Sequence, residues 1–248
     1  ILFLSFSVAI TFMNHVLTPL QPWTADISII SPDNTCSIDR ALLEQLQDNP
    51  TVNRAYGRMF AYDVPIRIHG TDKTSDIISY EEKQFDWADE YLLNGSIQAA
   101  LNEENTGLIV YEPQSAVKVG DIVKIDVQGI TTEIKIVGML SDCPFNNAAD
   151  VETIICSENT FQNITGQSDY TIIDMQLREN VTDSDVNAIR HMVGADVTFS
   201  DERMGNESTR GAYYCMWLFL YGFLTVIAFI TIFNIINNIS LSVTARTK

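Results

Sequence analysis

An α+β domain held between two transmembrane helices is the architecture that this 248-residue sequence predicts. Three observations carry the prediction. The chain opens and closes on uncharged apolar runs. The acidic stretch between them carries strand–helix–strand signals near both of its ends. The middle of that stretch breaks into short β-branched segments separated by glycine turns. Together they describe a split strand–helix–strand layer with an inserted small β-rich lobe, flanked by two transmembrane helices.

The first apolar run, Ile1 to Leu17, has no Asp, Glu, Lys or Arg. It falls a little short of the roughly 20 residues of a full span, so the span is expected to start upstream. A signal-peptide core would require small residues at a cleavage site, and Thr18-Pro19-Leu20 fits that poorly. The second run, Gly211 to Ala245, is uncharged over about 35 residues, or roughly 52 Å as a helix. A bilayer core is only about 30 Å thick, so this helix is expected to overshoot the membrane and to form a stalk on its outer side. Tyr213, Tyr214, Trp217 and Tyr221 crowd its start like an interfacial aromatic belt, and Arg246 and Lys248 follow its end. The positive-inside rule puts that end in the cytoplasm and the middle domain outside. Asn234, Asn237, Asn238, Ser240 and Ser242 make the inner part polar, which fits either packing against other helices or a helix end lying in the interface.

Within the outer domain, Asp26 to Ile30 reads as a strand. Ser37 is placed to cap a helix from Ile38 to about Asp48, with Leu42, Leu43 and Leu46 on one face and Pro50 beyond it. Val52 to Ile68 follows as extended chain, bent at Pro65. A second unit repeats the order: Tyr170 to Leu177 as strand, a capping box at Thr182 and Asp185 opening a helix over Val186, Ile189 and Met192, Gly194 as its stop, and Ala195 to Phe199 as strand. Between them lie Gly107–Tyr111, Ile122–Val127 and Thr132–Leu140 as strands, with turns at Val119-Gly120-Asp121 and Gln128-Gly129. Residues 82–105 read as partly helical, with Phe85, Trp87, Tyr91 and Leu92 as core. The expected organisation is a first helix over 1–20, the α+β layer over 21–81 and 151–208, the inserted lobe over 82–150, and stalk plus second helix over 209–248.

The formal charge of −17 argues against nucleic acid and against anionic lipid surfaces, both of which need clustered Lys and Arg. Cys36, Cys143, Cys156 and Cys215 form no Cys-x-x-Cys pair, so zinc and redox motifs are unsupported. One disulfide among Cys36, Cys143 and Cys156 stays open. No phosphate-binding loop and no Gly-x-Ser-x-Gly elbow occurs, and His15, His69 and His191 have no partner at metal spacing. His69 reads as a strand end, and His191 as a surface residue after the second capped helix. Glu81-Glu82, Glu103-Glu104 and Asp201-Glu202 are neighbours in sequence and read as solvated faces. Four Asn-x-Ser/Thr sequons, at Asn94, Asn163, Asn180 and Asn206, read as chance matches. No catalytic, cofactor or metal site is expected in this chain.

Two stretches resemble a known family. Val119-Gly120-Asp121-Ile122-Val123, the turn at Gly129 and the run Ile134 to Leu140 containing Gly138 are similar to the "G-D-x-V … V-V-G-I" pattern in the extracytoplasmic domain of FtsX-like, MacB-type ABC transporter permeases. Phe233 to Lys248 resembles the inner end of that family's second helix. The resemblance implies structural roles for Gly120, Asp121 and Gly138. It also implies a dimer with a second permease copy or homologue, and a cytoplasmic ABC ATPase that carries the ATP. An extracytoplasmic peptide, lipoprotein or protein partner would be driven by mechanotransmission through the stalk. The competing reading is the ligand-sensing domain of a two-helix signalling receptor. A membrane-tethered enzyme is the third.

Overall fold

A computed structural model describes residues 20–113, 115, 117–143, 145 and 152–246, with the side chains of the last helix described to Ile239. The chain divides into two compact units. One is Pro22–Glu202, and the other contains the helix that begins at Arg203. The expected first transmembrane helix lies outside the described residues, as does Lys248. The chain is α+β, and among the described residues one helix is long and apolar enough to cross a membrane.

In chain order the first unit contains β1 (Ile27–Ile30), α1 (Arg40–Gln47), β2 (Val52–Arg58), β3 (Phe60–Ile68), β4 (Thr71–Tyr80), α2 (Glu82–Ala88), a 3-10 turn (Asp89–Tyr91), β5 (Leu92–Gly95), α3 (Ile97–Asn102), β6 (Thr106–Val110), β7 (Ile122–Val127), β8 (Ile130–Leu140), β9 (Glu152–Ser157), α4 (Glu158–Thr165), β10 (Ile172–Leu177), α5 (Asp183–Val193) and β11 (Thr198–Asp201). The second unit contains α6 (Arg203–Arg246).

The strands form two sheets. A four-stranded antiparallel sheet has the order β11-β1-β10-β2. A seven-stranded sheet runs β5-β8-β6-β9-β4-β3-β7, and β7 pairs again with β8, so six of its strands close on themselves. The 11-residue β8 makes this closure. Ile130–Lys135 ladders with β7, while Lys135–Leu140 ladders with β6. Inside lie Ile77, Val123, Ile125, Ile134, Ile136 and Ile154, each fully enclosed. The larger sheet begins before residue 82, with β3 and β4, and continues past 150, with β9.

Local boundaries differ from the sequence expectation for physical reasons. Asp39, not Ser37, caps α1, because its carboxylate accepts from Ala41 N (2.8 Å) while Ser37 N is bonded to Tyr170 O. Val52–Ile68 is not one run: it breaks at Met59, which sends β2 to the small sheet and β3 to the large one. Tyr170 precedes β10 as an isolated bridge to Ile38, so the strand starts at Ile172. β11 lies a little beyond Ala195–Phe199, because Gly194 takes φ +88° and the chain needs residues to turn back. His191 sits in the last turn of α5, not after it. His69 is not a strand end; His69 (φ +50°) and Gly70 (φ +81°) form the tight turn joining β3 to β4.

The capping box stands as read: Thr182 Oγ1 accepts from Asp185 N, and Asp185 accepts from Thr182 N. Phe85 is fully buried, whereas Trp87, Tyr91 and Leu92 are half-buried.

Candidate functional site

Gly120 and Asp121 lie in the turn before β7, and Gly138 lies in β8. Gly120 sits at φ +102°, in open space, and its N–H donates to Ile136 O (2.8 Å). Asp121 O accepts from Ile136 N (2.9 Å), so the turn is tied to β8 from both sides. The Asp121 carboxylate accepts from Lys118 N (2.8 Å) and faces His69 Nε2 at 3.2 Å. That backbone hydrogen bond, aided by His69, holds the Asp121 carboxyl below the usual carboxylate range. Gly138 answers a different need. A Cβ there would come within 2.7 Å of Leu108 Cδ2, from β6 on one side, and 3.3 Å of Ser96 N, just past the end of β5 on the other. Gly95 is tighter still: at φ +93°, its Cβ would meet Val137 O at 2.2 Å.

A second constellation was not visible in the sequence. Register places Ser28, Asp174, Tyr56, Arg54 and Arg58 on one face of the small sheet. Arg58 donates from Nη2 to Asp174 Oδ2 (2.5 Å), and Ser28 Oγ donates to Asp174 Oδ1 (2.5 Å). Arg58 and Asp174 are only 5% and 6% exposed, so this is a charge pair inside the domain. The Arg58 guanidinium also stacks 4.5 Å from the Phe145 ring, while its Nε and Nη1 have no hydrogen-bond partner among the described residues. Arg54 lies 5.1 Å over Trp87 and bonds Glu81 (2.5 Å). Trp23, Tyr56, Tyr80, Trp87 and Phe145 complete an aromatic cluster with ring centroids 5.3–6.3 Å apart. Burial, and secondarily the Asp174 charge, pushes the Tyr56 hydroxyl far up, so it stays protonated and donates to Trp23 O (2.5 Å). The cluster ties α2 and the 3-10 turn of the large lobe to the small sheet. Among the described residues what it supplies is cohesion between the two sheets.

Two surface cavities among the described residues bear on the site. One of about 470 Å³, on the β3–β4–β7 side of the lobe, is lined by Arg67, Asp72, Lys73, Lys124 and Asp126 among others. Its cations are already paired, Arg67 with Asp72, Lys73 with Glu152 and Lys124 with Glu133. The other, of about 410 Å³, lies beside the end of α5, where Arg190 stacks 4.5 Å from Phe199. Among the described residues no three His, Cys, Asp or Glu side chains are grouped to hold a metal ion. Cys143 Sγ lies 3.2 Å from Tyr80 Oη, Cys36 Sγ lies 3.3 Å from Thr171 Oγ1, and Cys156 is fully enclosed, so no disulfide links them.

The belt residues stand on α6. Tyr213, Trp217 and Tyr221 follow one another at four-residue spacing with centroids 6.1 and 5.3 Å apart, and Tyr214 packs against Tyr213 at 6.0 Å.

No family model and no curated protein matches this sequence. Solved structures do match its fold. The periplasmic region of MacB from Actinobacillus actinomycetemcomitans aligns with 73% of this chain and 91% of its own, at 11% identity and a TM-score of 0.52. The extracellular domain of the noncanonic ABC-type transporter YknZ from Gram-positive bacteria aligns with 71% of this chain and 98% of its own, at 12% identity and a TM-score of 0.50. The chain therefore carries a MacB-like extracytoplasmic domain fold, as the Gly120-Asp121 and Gly138 resemblance implied.

Proposed function

We propose that this chain is part of an ABC transporter permease subunit, whose outer domain binds a substrate or partner and carries ATP-driven motion across the membrane. The observation that supports it most is the junction of two features in one chain. A domain with the fold of the MacB periplasmic region ends at β11, and after the single residue Glu202 an unbroken helix of 44 residues begins. At 1.5 Å per residue that helix is about 66 Å long, twice the bilayer core, so the part before Trp217, about 21 Å, is available as a lever on the outer side.

In such a lever the motif and belt residues each have a place. Tyr213, Tyr214, Trp217 and Tyr221 set the outer interface, Arg246 and Lys248 the inner one, and residues 21–210 stand outside the cell membrane. Gly120, Asp121 and Gly138 keep the lobe rigid enough to transmit force. ATP turnover belongs to a cytoplasmic ATPase, as a separate subunit or a fused domain, and the permease works as a pair. The test is a flexible Gly-rich insertion beside Arg210 in the full-length protein. Transport is expected to uncouple from ATP hydrolysis while hydrolysis continues. Transport that continues at the wild-type ratio would overturn the lever.

A further inference from the structure

The small sheet ends at an open edge beside a cleft that holds no acid. β11 pairs with β1 on one side and, among the described residues, with no strand on the other. The Glu202 N–H donates to Asp26 O (2.9 Å), which fixes the alternation along the strand. Thr198 and Ser200 turn their backbone groups to β1, and Phe199 turns its N–H and C=O outward. Next to that edge, at the end of α5, lies the cavity of about 410 Å³ formed by Arg190, His191, Gly194, Ala195, Val197 and Phe199. Among the described residues no carboxylate lines it, although the chain carries a net charge of −17. Arg40, Arg54, Arg58 and Arg67 each bond a carboxylate. Arg190 differs: among the described residues its guanidinium meets only the Phe199 ring, 4.5 Å from Cζ. Arg190 and His191 also complement the last carbonyls of α5, but that role requires neither the stacking nor the cavity. Phe199 packs against the core, so it steadies a planar fork of N–H donors at the mouth of the cleft.

We propose that this cleft receives an extended segment of a partner polypeptide, laid along β11 as a further strand of the small sheet, with one carboxylate side chain on Arg190. The outward N–H and C=O of Phe199 supply main-chain hydrogen bonds, as in recognition by strand addition. A residue opposite Phe199 shares its face of the sheet, so its side chain enters the cavity at Arg190. Residues two positions away on the incoming strand share that face, and Val197 offers them an apolar wall. Arg binds a carboxylate through paired N–H donors, which selects Glu or Asp at that one position. The rest of the acidic domain repels such a segment only within a Debye length of about 8 Å at physiological salt, so the choice is made locally. A cationic segment, which the net charge attracts, meets like charge in the cleft. The inference deepens the permease reading, on which it rests for the existence of an outer partner, by giving that partner a place and a chemistry.

The test uses full-length protein in detergent micelles and a capped heptapeptide probe, Thr-Val-Thr-Glu-Thr-Val-Thr, with a neutral fluorescent label. Fluorescence anisotropy is expected to show saturable binding. Changing the probe's Glu to Gln, or Arg190→Gln in the protein, is expected to weaken binding about tenfold or more, and the two changes together no further. N-methylation of alternate probe amides is expected to abolish binding, and Lys83→Gln, at an exposed site on α2, to leave it unchanged. The probe's own Glu-to-Gln change keeps the test valid should the Arg190 variant unfold. No saturable binding up to about 1 mM probe, equal binding of the Glu and Gln probes, or equal damage from Lys83→Gln would each overturn the proposal. So would binding that only displaces a second copy of the chain, seen as a fall in mass by light scattering. Failure of the permease reading shows separately, as membranes in which no ATPase co-purifies whether or not the probe binds.

Discussion

Replacing Asp174 by Ala should be among the most damaging single changes in the outer domain, although Asp174 is one carboxylate among 32 acidic residues. Its two oxygens accept from Arg58 Nη2 and Ser28 Oγ, both at 2.5 Å, in surroundings that leave it 6% exposed. Removing it leaves the Arg58 guanidinium enclosed with no counter-charge, on top of the two nitrogens that already lack partners. Breaking one side of a buried pair costs about 3–5 kcal/mol. For a domain of this size each kcal/mol moves the midpoint by about 2–4 °C, so Tm should fall by roughly 6–20 °C. The assay is thermal unfolding of the soluble Pro22–Glu202 segment, which is a compact unit by its own contacts. The double change Arg58→Met with Asp174→Leu should recover most of the loss, because an apolar pair removes both desolvation costs. A loss below about 1 kcal/mol for Asp174→Ala would refute the argument, since that is the size of a solvated surface pair.

Three further outcomes follow from the same geometry. Gly95→Ala should cost more than about 2 kcal/mol, because its Cβ would sit 2.2 Å from a backbone oxygen, whereas Gly120→Ala at φ +102° in open space should cost only about 1–2 kcal/mol by urea titration. Asp121 has its carboxyl pKa lowered by the Lys118 N–H, so its stabilising effect is present above its unfolded pKa of about 3.9 and is lost as pH falls through the lower folded value. Asp121→Asn should flatten that acid-side loss in denaturation measured from pH 5 to pH 2, and an unchanged acid slope would contradict it. Burial pushes the Cys36 and Cys156 thiols up, so Cys156, fully enclosed, should react with a thiol reagent at neutral pH only after unfolding, and addition of reductant should leave the thiol count unchanged.

Local signals in the sequence were legible where one residue decides one feature. Thr182 and Asp185 specify a reciprocal cap that needs no tertiary help, and the alternation in Ile122–Val127 follows from a strand with one face inward. What escaped were the elements whose identity depends on neighbours. β4 reads as polar in Thr71-Asp-Lys-Thr-Ser-Asp76, yet Ser75, Asp76 and Ser79 are buried, because each finds a backbone partner across the sheet: Glu152 O, Asp63 N and Met59 N. β9, covered on both faces, has no alternation to read and pairs parallel with β4 at a separation of more than seventy residues. The Arg58–Asp174 pair escaped for the same reason, since its members are 116 positions apart and nothing local distinguishes them from surface charges. Gly138 was recognisable as part of a motif, but the close approach of Leu108 and Ser96 that favours glycine there appears only in three dimensions.

The central claim is that this chain is the membrane part of an ATP-driven machine. The most direct measurement is gentle purification of the full-length protein from native membranes, with mass-spectrometric identification of what accompanies it. The account predicts a transporter-type ATPase, as a separate subunit or as a domain of the same polypeptide, in stoichiometric amount. A histidine kinase or methyl-accepting region continuing the chain, with no such ATPase, would contradict it and make the outer domain a sensor.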